Sequence, residues 1–279
     1  MTKPWDSGEP PPEVHATPLG WALLILRGGA LILTMIAALL VNLVLRGIEY
    51  PFAGQRRPLS GQVPRVTSRM ALRLMGIGIT VRGRPMKGAG AIVSNHCSWL
   101  DIFTLNAGVP VFFVAKSEVA GWAGINVIAR AAGTIFIERK SSEARRQQAL
   151  FETRFAAGDR LLFFPEGTSS DGTRVLPFKT SLFAAFFADG LRENVQVQPV
   201  TVVYHAPPGR DPRYYGWWGD MSFGTDLIKS LATVPQGRAE LIYHEPLIPA
   251  QFPDRKALAQ TCEVQVRKGL QDALGRLPV

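Results

Sequence analysis

Residues 90–107 read GAIVSNHCSWLDIFTLNA, and this stretch sets the fold. Its first five residues, Gly90–Ser94, form a short apolar run suited to a buried strand. The pattern then changes. Ser98 is a favourable N-cap residue, and Trp99–Ala107 supplies a helix. The same alternation continues outward. Pro110–Ala115, Thr134–Glu138, Arg160–Phe164, Val195–Tyr204 and Ala239–His244 read as further strands. Leu100–Ala107, Gly121–Ala132, Ser141–Ala157 and Phe178–Leu191 read as helices between them. This texture predicts an α/β domain over residues 79–279, a mixed, largely parallel sheet covered by helices.

The chain has 279 residues, 47% hydrophobic and 19% charged, enough apolar material for a sizeable core and against wholesale disorder. Its formal net charge of +9 calls for an anionic partner: nucleic acid, anionic lipid or a phosphorylated substrate. Cys97 and Cys262 lie far apart and form neither a zinc ligand set nor a disulfide framework, which fits a reducing compartment.

The N-terminus decides among the anionic partners. Trp21–Leu45 carries Arg27 as its one charge, and Gly28–Leu45 carries none. That length meets the roughly 20 residues needed to cross a bilayer. The segment before it is acidic and proline-rich, and no small-residue cleavage site follows, so a retained membrane segment is favoured over a signal peptide. Arg46, Arg56, Arg57, Arg65, Arg69 and Arg73 come next. They place the larger part of the chain on the cytoplasmic side of a cell inner membrane and suit an anionic lipid surface. Spanning the bilayer and lying within one leaflet are equally compatible with the pattern. The expected organisation is a disordered tail over 1–17, a membrane-anchoring helical segment over 18–78, and then the α/β domain. Within the anchor, 48–64 reads as a connector. Val66–Ile77 is amphipathic, suited to the membrane surface or to ordinary packing on the core. No nucleic-acid-binding signature is visible, and the apolar N-terminus argues against that partner.

Loops that follow buried strands are where α/β domains carry their sites. His96, after the first strand, has a side chain suited to general-base work, given a carboxylate to orient it. Asp101 follows five residues later. On one continuous helix the two would sit about 140° apart, so the pairing requires His96 to precede the helix. Ser98–Asp101 also fits a capping box, which explains Asp101 without catalysis. The second loop, FPEGTSSDGTRVLPFK from Phe164 to Lys179, combines glycines, hydroxyls and the cations Arg174 and Lys179. It suits an anionic headgroup or, more simply, a surface turn. Arg139 ends a third strand and is a further candidate cation. Tyr214, Tyr215, Trp217 and Trp218 form an aromatic cluster, either interfacial or packed in the domain. Cys97 reads as a small filler rather than a nucleophile.

Taken together, Asn95-His96-x4-Asp101, Gly133–Arg139 (GTIFIER), Phe164–Thr168 (FPEGT) and Val197-Gln198-Pro199 resemble the four ordered motifs of the 1-acylglycerol-3-phosphate acyltransferase family. The resemblance runs from about Gly90 to Val200. It implies transfer of an acyl group from acyl-carrier protein or coenzyme A thioester to the free hydroxyl of a lysolipid. His96 would be the base and Asp101 its orienting partner. Arg139, Glu166, Gly167, Thr168 and Lys179 would position the acceptor. No metal and no bound cofactor is implied.

One departure bears on the acceptor. Phosphate-accepting members commonly carry arginine straight after FPEGT, where this chain has Ser169. Losing that cation weakens the case for a phosphate acceptor and tilts the expectation toward the lyso-ornithine lipid branch. Arg139 remains, and Arg174 is a candidate substitute, so 1-acylglycerol-3-phosphate stays as the alternative acceptor. Two other classes compete: a thioester hydrolase using the same His–Asp pair, and a membrane-anchored lipid-binding protein with no catalytic role.

Overall fold

The computed structural model describes residues 4–12, 16–117, 129–137, 144–188 and 190–275. Most of the helix expected at 121–132, and the end of the third motif with Glu138 and Arg139, lie outside the described residues. Among the described residues the strands are β1 (Gly78–Arg82), β2 (Gly90–Ser94), β3 (Phe112–Lys116), β4 (Ile135–Ile137), β5 (Arg160–Phe163), β6 (Val197–His205) and β7 (Arg238–Tyr243). They form one sheet in the order β1-β7-β6-β2-β5-β3-β4. Every neighbouring pair is parallel except β6 and β7. The mixed, largely parallel α/β architecture expected from the sequence is therefore present.

Strands β2 and β6 are buried on both faces, as a sheet covered on two sides requires. Their side chains alternate between two apolar clusters. Ile92, Val200, Val202 and Tyr204 join one, with α2 (Val63–Met75) and α3 (Asp101–Gly108) over it. Ala91, Val93, Val197 and Val203 join the other, beneath α4 (Ala144–Ala156), a 3-10 helix over Thr180–Phe187, and α6 (Arg255–Ala273). The 3-10 helix replaces the α-helix expected at 178–191. The edge strand β1, and the helices α5 (Phe223–Ala232) and α6, were not anticipated from the sequence. β1 is mostly exposed, so it lacks the buried apolar run that marks the other strands.

The N-terminal helix α1 runs from Pro18 to Ala53, with the Thr17 hydroxyl accepting from the Gly20 N–H at 3.1 Å. It extends beyond the expected end near Leu45 and takes in part of the expected connector. The buried Glu49 carboxylate fastens this extension by accepting the N–H groups of Leu59 and Ser60. Both ends of α1 touch the α/β domain. A Cβ on Gly20 would come within 2.9 Å of the Ala232 carbonyl, so only glycine allows this approach. Arg27 Nη1 donates to the carbonyls of Leu231 and Thr233, each at 2.8 Å, and Asn42 Nδ2 donates to Ala131 O at 2.6 Å. Leu24, Leu31 and Met35 pack on the core, while Ile25, Leu33, Leu40, Val44 and Phe52 stay exposed.

Helix α2 packs through Ala71, Leu72 and Met75, and Arg69 Nε donates to Ala107 O on α3 at 2.8 Å. Of the two readings of that amphipathic segment, packing on the core is present, with Val66 and Met70 left exposed. Residues 4–12, expected within a disordered tail, instead lie against the domain. Trp5 O accepts from Gly219 N–H at 3.0 Å, and Ser7 Oγ accepts from the Trp218 indole at 3.1 Å. The aromatic cluster is packed rather than interfacial, with Tyr214, Tyr215 and Trp218 all buried.

Gln198, from the fourth motif, is fully buried and serves the fold. Its Oε1 accepts from Met86 N–H at 2.8 Å, and its Nε2 donates to Arg84 O at 2.9 Å and His244 O at 2.7 Å. Gln198→Leu would leave these three backbone groups unpaired, at a cost of about 3 kcal/mol or more. Thermal unfolding of the detergent-solubilised protein should show Tm lower by roughly 5–10 °C.

Candidate active site

Register brings the two loops together. β2 and β5 are parallel with Val93 opposite Phe163, so the segments after them leave the sheet side by side at its C-terminal edge. On the other flank, β6 pairs with β2 through Ser94 and Val200 and then continues past the end of β2. Asn95 closes that gap with its side chain. Its Nδ2 donates to Val202 O at 2.9 Å, and its Oδ1 accepts from Val202 N–H at 2.8 Å. The side-chain amide thus prolongs the ladder by one rung and fixes where His96 leaves the sheet.

His96 lies before α3, as its pairing with Asp101 demands. His96 Nδ1 stands 2.7 Å from Asp101 Oδ2. The same oxygen accepts the N–H groups of Cys97 at 2.9 Å and Ser98 at 3.1 Å. Only half of the expected capping box is present: Asp101 accepts from Ser98 N–H, while the Ser98 hydroxyl accepts from Leu100 N–H at 3.2 Å and Leu100, not Ser98, stands at the N-cap of α3. Asp101 therefore closes the turn before α3 and holds the histidine at once. Its other oxygen, Oδ1, accepts from the Tyr204 hydroxyl at 3.0 Å. A carboxylate that accepts on every side makes Nδ1–H the donor, which leaves Nε2 as the basic nitrogen. Nε2 has no partner among the described residues, and the side chain is 23% exposed while Asp101 is fully buried. The imidazole stacks on the Phe164 ring, with centroids 4.1 Å apart and planes at 18°. Sequence reasoning missed both Phe164 and Tyr204. Phe164 was visible only as part of FPEGT, and Tyr204 lies more than a hundred residues away from its partner.

The Glu166 carboxylate turns inward, between the two loops. It is 2% exposed, and its oxygens accept the N–H groups of His96 at 2.8 Å and Leu176 at 2.9 Å. It braces the second loop against the first, and burial pushes its carboxyl up to about 8 despite those two donors. Gly167 adopts φ 74°, which favours glycine at this turn. Thr168 is half-buried and its hydroxyl accepts from Trp5 N–H at 3.3 Å. Ser170 N–H donates to His96 O at 2.9 Å, so the loop runs directly beside the histidine. Lys179 is exposed further along, its N–H donating to Pro165 O at 2.9 Å. Arg174 is half-exposed and pairs with the buried Asp171 at 2.9 Å. Cys97 is fully buried, and burial together with Asp101 pushes its thiol well up, which disqualifies it as a nucleophile. His96, Asp101, Glu166, Gly167 and Thr168 thus meet at one edge of the sheet. Among the described residues no cluster of His, Cys, Asp and Glu could hold a metal.

Residues 78–203 match the family model described as Acyltransferase. The chain is 52% identical over 271 residues to the lyso-ornithine lipid O-acyltransferase of Rhodobacter capsulatus, covering 97% of this chain and 98% of that one. It is 36% identical over 144 residues to a 1-acyl-sn-glycerol-3-phosphate acyltransferase of Neisseria gonorrhoeae, covering 50% and 54%. Among solved structures, the 1-acyl-sn-glycerophosphate acyltransferase of Thermotoga maritima shares the fold with a TM-score of 0.58 at 20% identity, covering 91% of this chain and 100% of that one.

The brace yields a pH test. The folded Glu166 carboxyl titrates at about 8, above its ordinary 4.5, so between these values the native state holds a proton that the unfolded chain has released. This group's contribution to stability is greatest below that window and declines as pH rises through it. Glu166→Gln removes that decline. It also turns an amide NH2 toward one of two backbone donors, costing about 1–3 kcal/mol. Melting curves between about pH 5 and pH 8 should show a lower Tm than wild type near pH 5, a flatter dependence on pH, and a difference that closes as pH rises toward 8.

Proposed function

The chain belongs to the acyltransferase family, and from that premise we propose that it transfers a fatty acyl group from a thioester, acyl-carrier protein or coenzyme A, to the free hydroxyl of a lysolipid. The acceptor we favour is lyso-ornithine lipid. The observation that carries the reaction is the His96 Nδ1–Asp101 pair with Nε2 left to face the solvent side. In this reading Nε2 removes the proton from the acceptor hydroxyl as its oxygen attacks the thioester carbonyl. The tetrahedral oxyanion collapses, the carbon–sulfur bond breaks, and the leaving thiolate takes the proton from the imidazolium. An ester and a free thiol result. Asp101 holds the tautomer and offsets the transient imidazolium charge. The N–H groups of His96, Cys97, Ser98 and Ser170 are already engaged, so the oxyanion must be received elsewhere on the loops.

Two observations support the aminolipid over the phosphate acceptor. Two relatives named as lyso-ornithine lipid O-acyltransferases cover 97% and 87% of the chain, whereas relatives named as 1-acyl-sn-glycerol-3-phosphate acyltransferases cover 50%, 55% and 66% of it. Ser169 stands where a phosphate-binding arginine is common, and Arg174 is already paired. The alternative is 1-acylglycerol-3-phosphate, for which Arg139 and Lys179 would supply charge.

The membrane reading follows from α1. A helix that spanned the bilayer would put its ends on opposite sides, but Gly20 and Arg27 near one end and Asn42 toward the other all contact the α/β domain. We therefore place α1 within one leaflet of the inner membrane, its exposed apolar side in lipid and the domain on the cytoplasmic side.

The test is acylation in membranes of cells lacking their own activity, with labelled acyl thioester and either lysolipid. Wild type should acylate lyso-ornithine lipid. Asp101→Asn should lower kcat by roughly 10⁴ and His96→Ala by about as much. Acyl transfer unaffected by His96→Ala would overturn the mechanism. Free fatty acid as the sole product would favour a hydrolase.

A further inference from the structure

The tail before α1 is held in place at alternate residues, as an extended chain is. Trp5 and Ser7 are half-buried, while Pro4, Asp6 and Gly8 are exposed. Glu9 Oε2 reaches Arg213 Nη1 at 2.7 Å, beyond the contacts of Trp5 and Ser7 with the 217–219 loop. Prolines at 4, 10, 11 and 12 restrict the unfolded tail and so lessen the entropy lost on docking. The place where it docks is the rim of the active site. Trp5 N–H reaches the Thr168 hydroxyl within FPEGT at 3.3 Å, and the Trp5 ring lies against the Arg174 guanidinium, 5.3 Å from carbon to centroid.

Arg174 is the cation nearest in sequence to take the place of the arginine missing at position 169. It is held from two directions. The buried Asp171 carboxylate pairs with it at 2.9 Å, and the indole covers it as a cation–π partner. The loop around it is tied back to the histidine, since the Ser170 hydroxyl donates to Arg174 O at 3.2 Å and Ser170 N–H donates to His96 O at 2.9 Å. Arg213, the other arginine of this rim, is matched by Glu9 and by Asp211 at 2.9 Å. The tail thus contributes Glu9 to neutralise one arginine and Trp5 to cover another, and adds the exposed carboxylate of Asp6.

We propose that Trp5 is a specificity-determining residue: it clamps Arg174 onto Asp171, withholds that cation from an acceptor phosphate, and leaves the acceptor mouth suited to a headgroup without phosphate. The inference rests on the reading of this site as the acceptor site of an acyltransferase. A dianionic phosphate needs charge-assisted donors, and the guanidinium that could supply them is turned to Asp171 through Nε and Nη2. A zwitterionic headgroup bearing an ammonium loses nothing by this.

The experiment compares kcat/KM for lysophosphatidic acid and lyso-ornithine lipid in mixed micelles, using the full chain as wild type, Trp5→Ala, Arg174→Gln and the double variant. Trp5 is half-buried on a surface tail, and matching melting curves would verify that the variants fold. Trp5→Ala should raise the phosphate-to-aminolipid ratio about tenfold, the gain expected from freeing one charged donor. Arg174→Gln should leave the wild-type ratio nearly unchanged, and the double variant should lose the gain. An unmoved ratio in Trp5→Ala overturns the proposal, as does a gain that persists without Arg174 or a wild type that prefers lysophosphatidic acid. A wild type that transfers acyl groups to neither lipid sinks the underlying reading together with the clamp.

Discussion

Everything at the site depends on one buried carboxylate. Asp101 is fully excluded from solvent, and an ionised carboxylate in that position costs several kcal/mol unless its lone pairs are met. Here the donors come from two separate parts of the chain, His96 with the two N–H groups after it and Tyr204 at the end of β6, and meet the carboxylate that the first turn of α3 carries. Thr104 contacts the Tyr204 hydroxyl at 2.9 Å and holds it toward the carboxylate. The charge is therefore tolerable only when the loop, the helix and the strand are in register. The geometry that makes His96 basic at Nε2 is the same geometry that makes the buried charge affordable, so assembling the fold also assembles the base.

The sheet supplies the remaining constraint. Parallel pairing of β2 with β5 fixes which residues of the two loops face each other, and Glu166 then ties the backbone of one to the backbone of the other. The histidine is thus confined from four sides: the Asp101 carboxylate at Nδ1, Phe164 against its plane, Glu166 at its N–H and Ser170 at its carbonyl. Such confinement reduces the reorganisation needed when a hydroxyl and a thioester come together. It also explains why FPEGT can matter without each residue touching substrate. In the proposed reaction Phe164 and Glu166 would act through the imidazole they hold, while Gly167 allows the turn.

Much of this was legible in the sequence for physical reasons. Short apolar runs mark strands, and β2, β3, β4, β5, β6 and β7 were found that way, β2 and β6 being buried on both faces. The His–Asp pair was legible because a helix start separates two residues whose spacing would otherwise point them apart. Not everything that escaped detection lacked a local signature. β1 is an exposed edge without an apolar run, but α6 opens on a legible cap, the Asp254 carboxylate accepting the N–H groups of Lys256 and Ala257. Glu166 was expected to meet a headgroup because its burial depends on Leu176 and His96 arriving from elsewhere. The tail was expected to be disordered because acidic, proline-rich composition gives no hint of a docking groove. Tyr204 stayed hidden in a strand pattern that explains a tyrosine without any partner.

The charge balance acquires a different meaning once residues are placed. A surplus of +9 on the sequence suggests a cationic substrate pocket. Around the site, however, Arg174 and Arg213 are each matched by carboxylates. Arg56, Arg69 and Arg73 are instead exposed near the end of α1 and along α2. Under the proposed placement of α1 in one leaflet, these are the residues positioned to meet lipid headgroups at the membrane surface. Surface charge acts collectively and needs no fixed geometry, whereas an acceptor phosphate needs a free and pre-oriented donor. A chain can therefore be strongly basic and still present a nearly neutral acceptor mouth. That division of labour is consistent with Ser169 standing where a phosphate-binding arginine is common, because a basic surface can hold the enzyme at the bilayer without requiring charge in the headgroup it acylates.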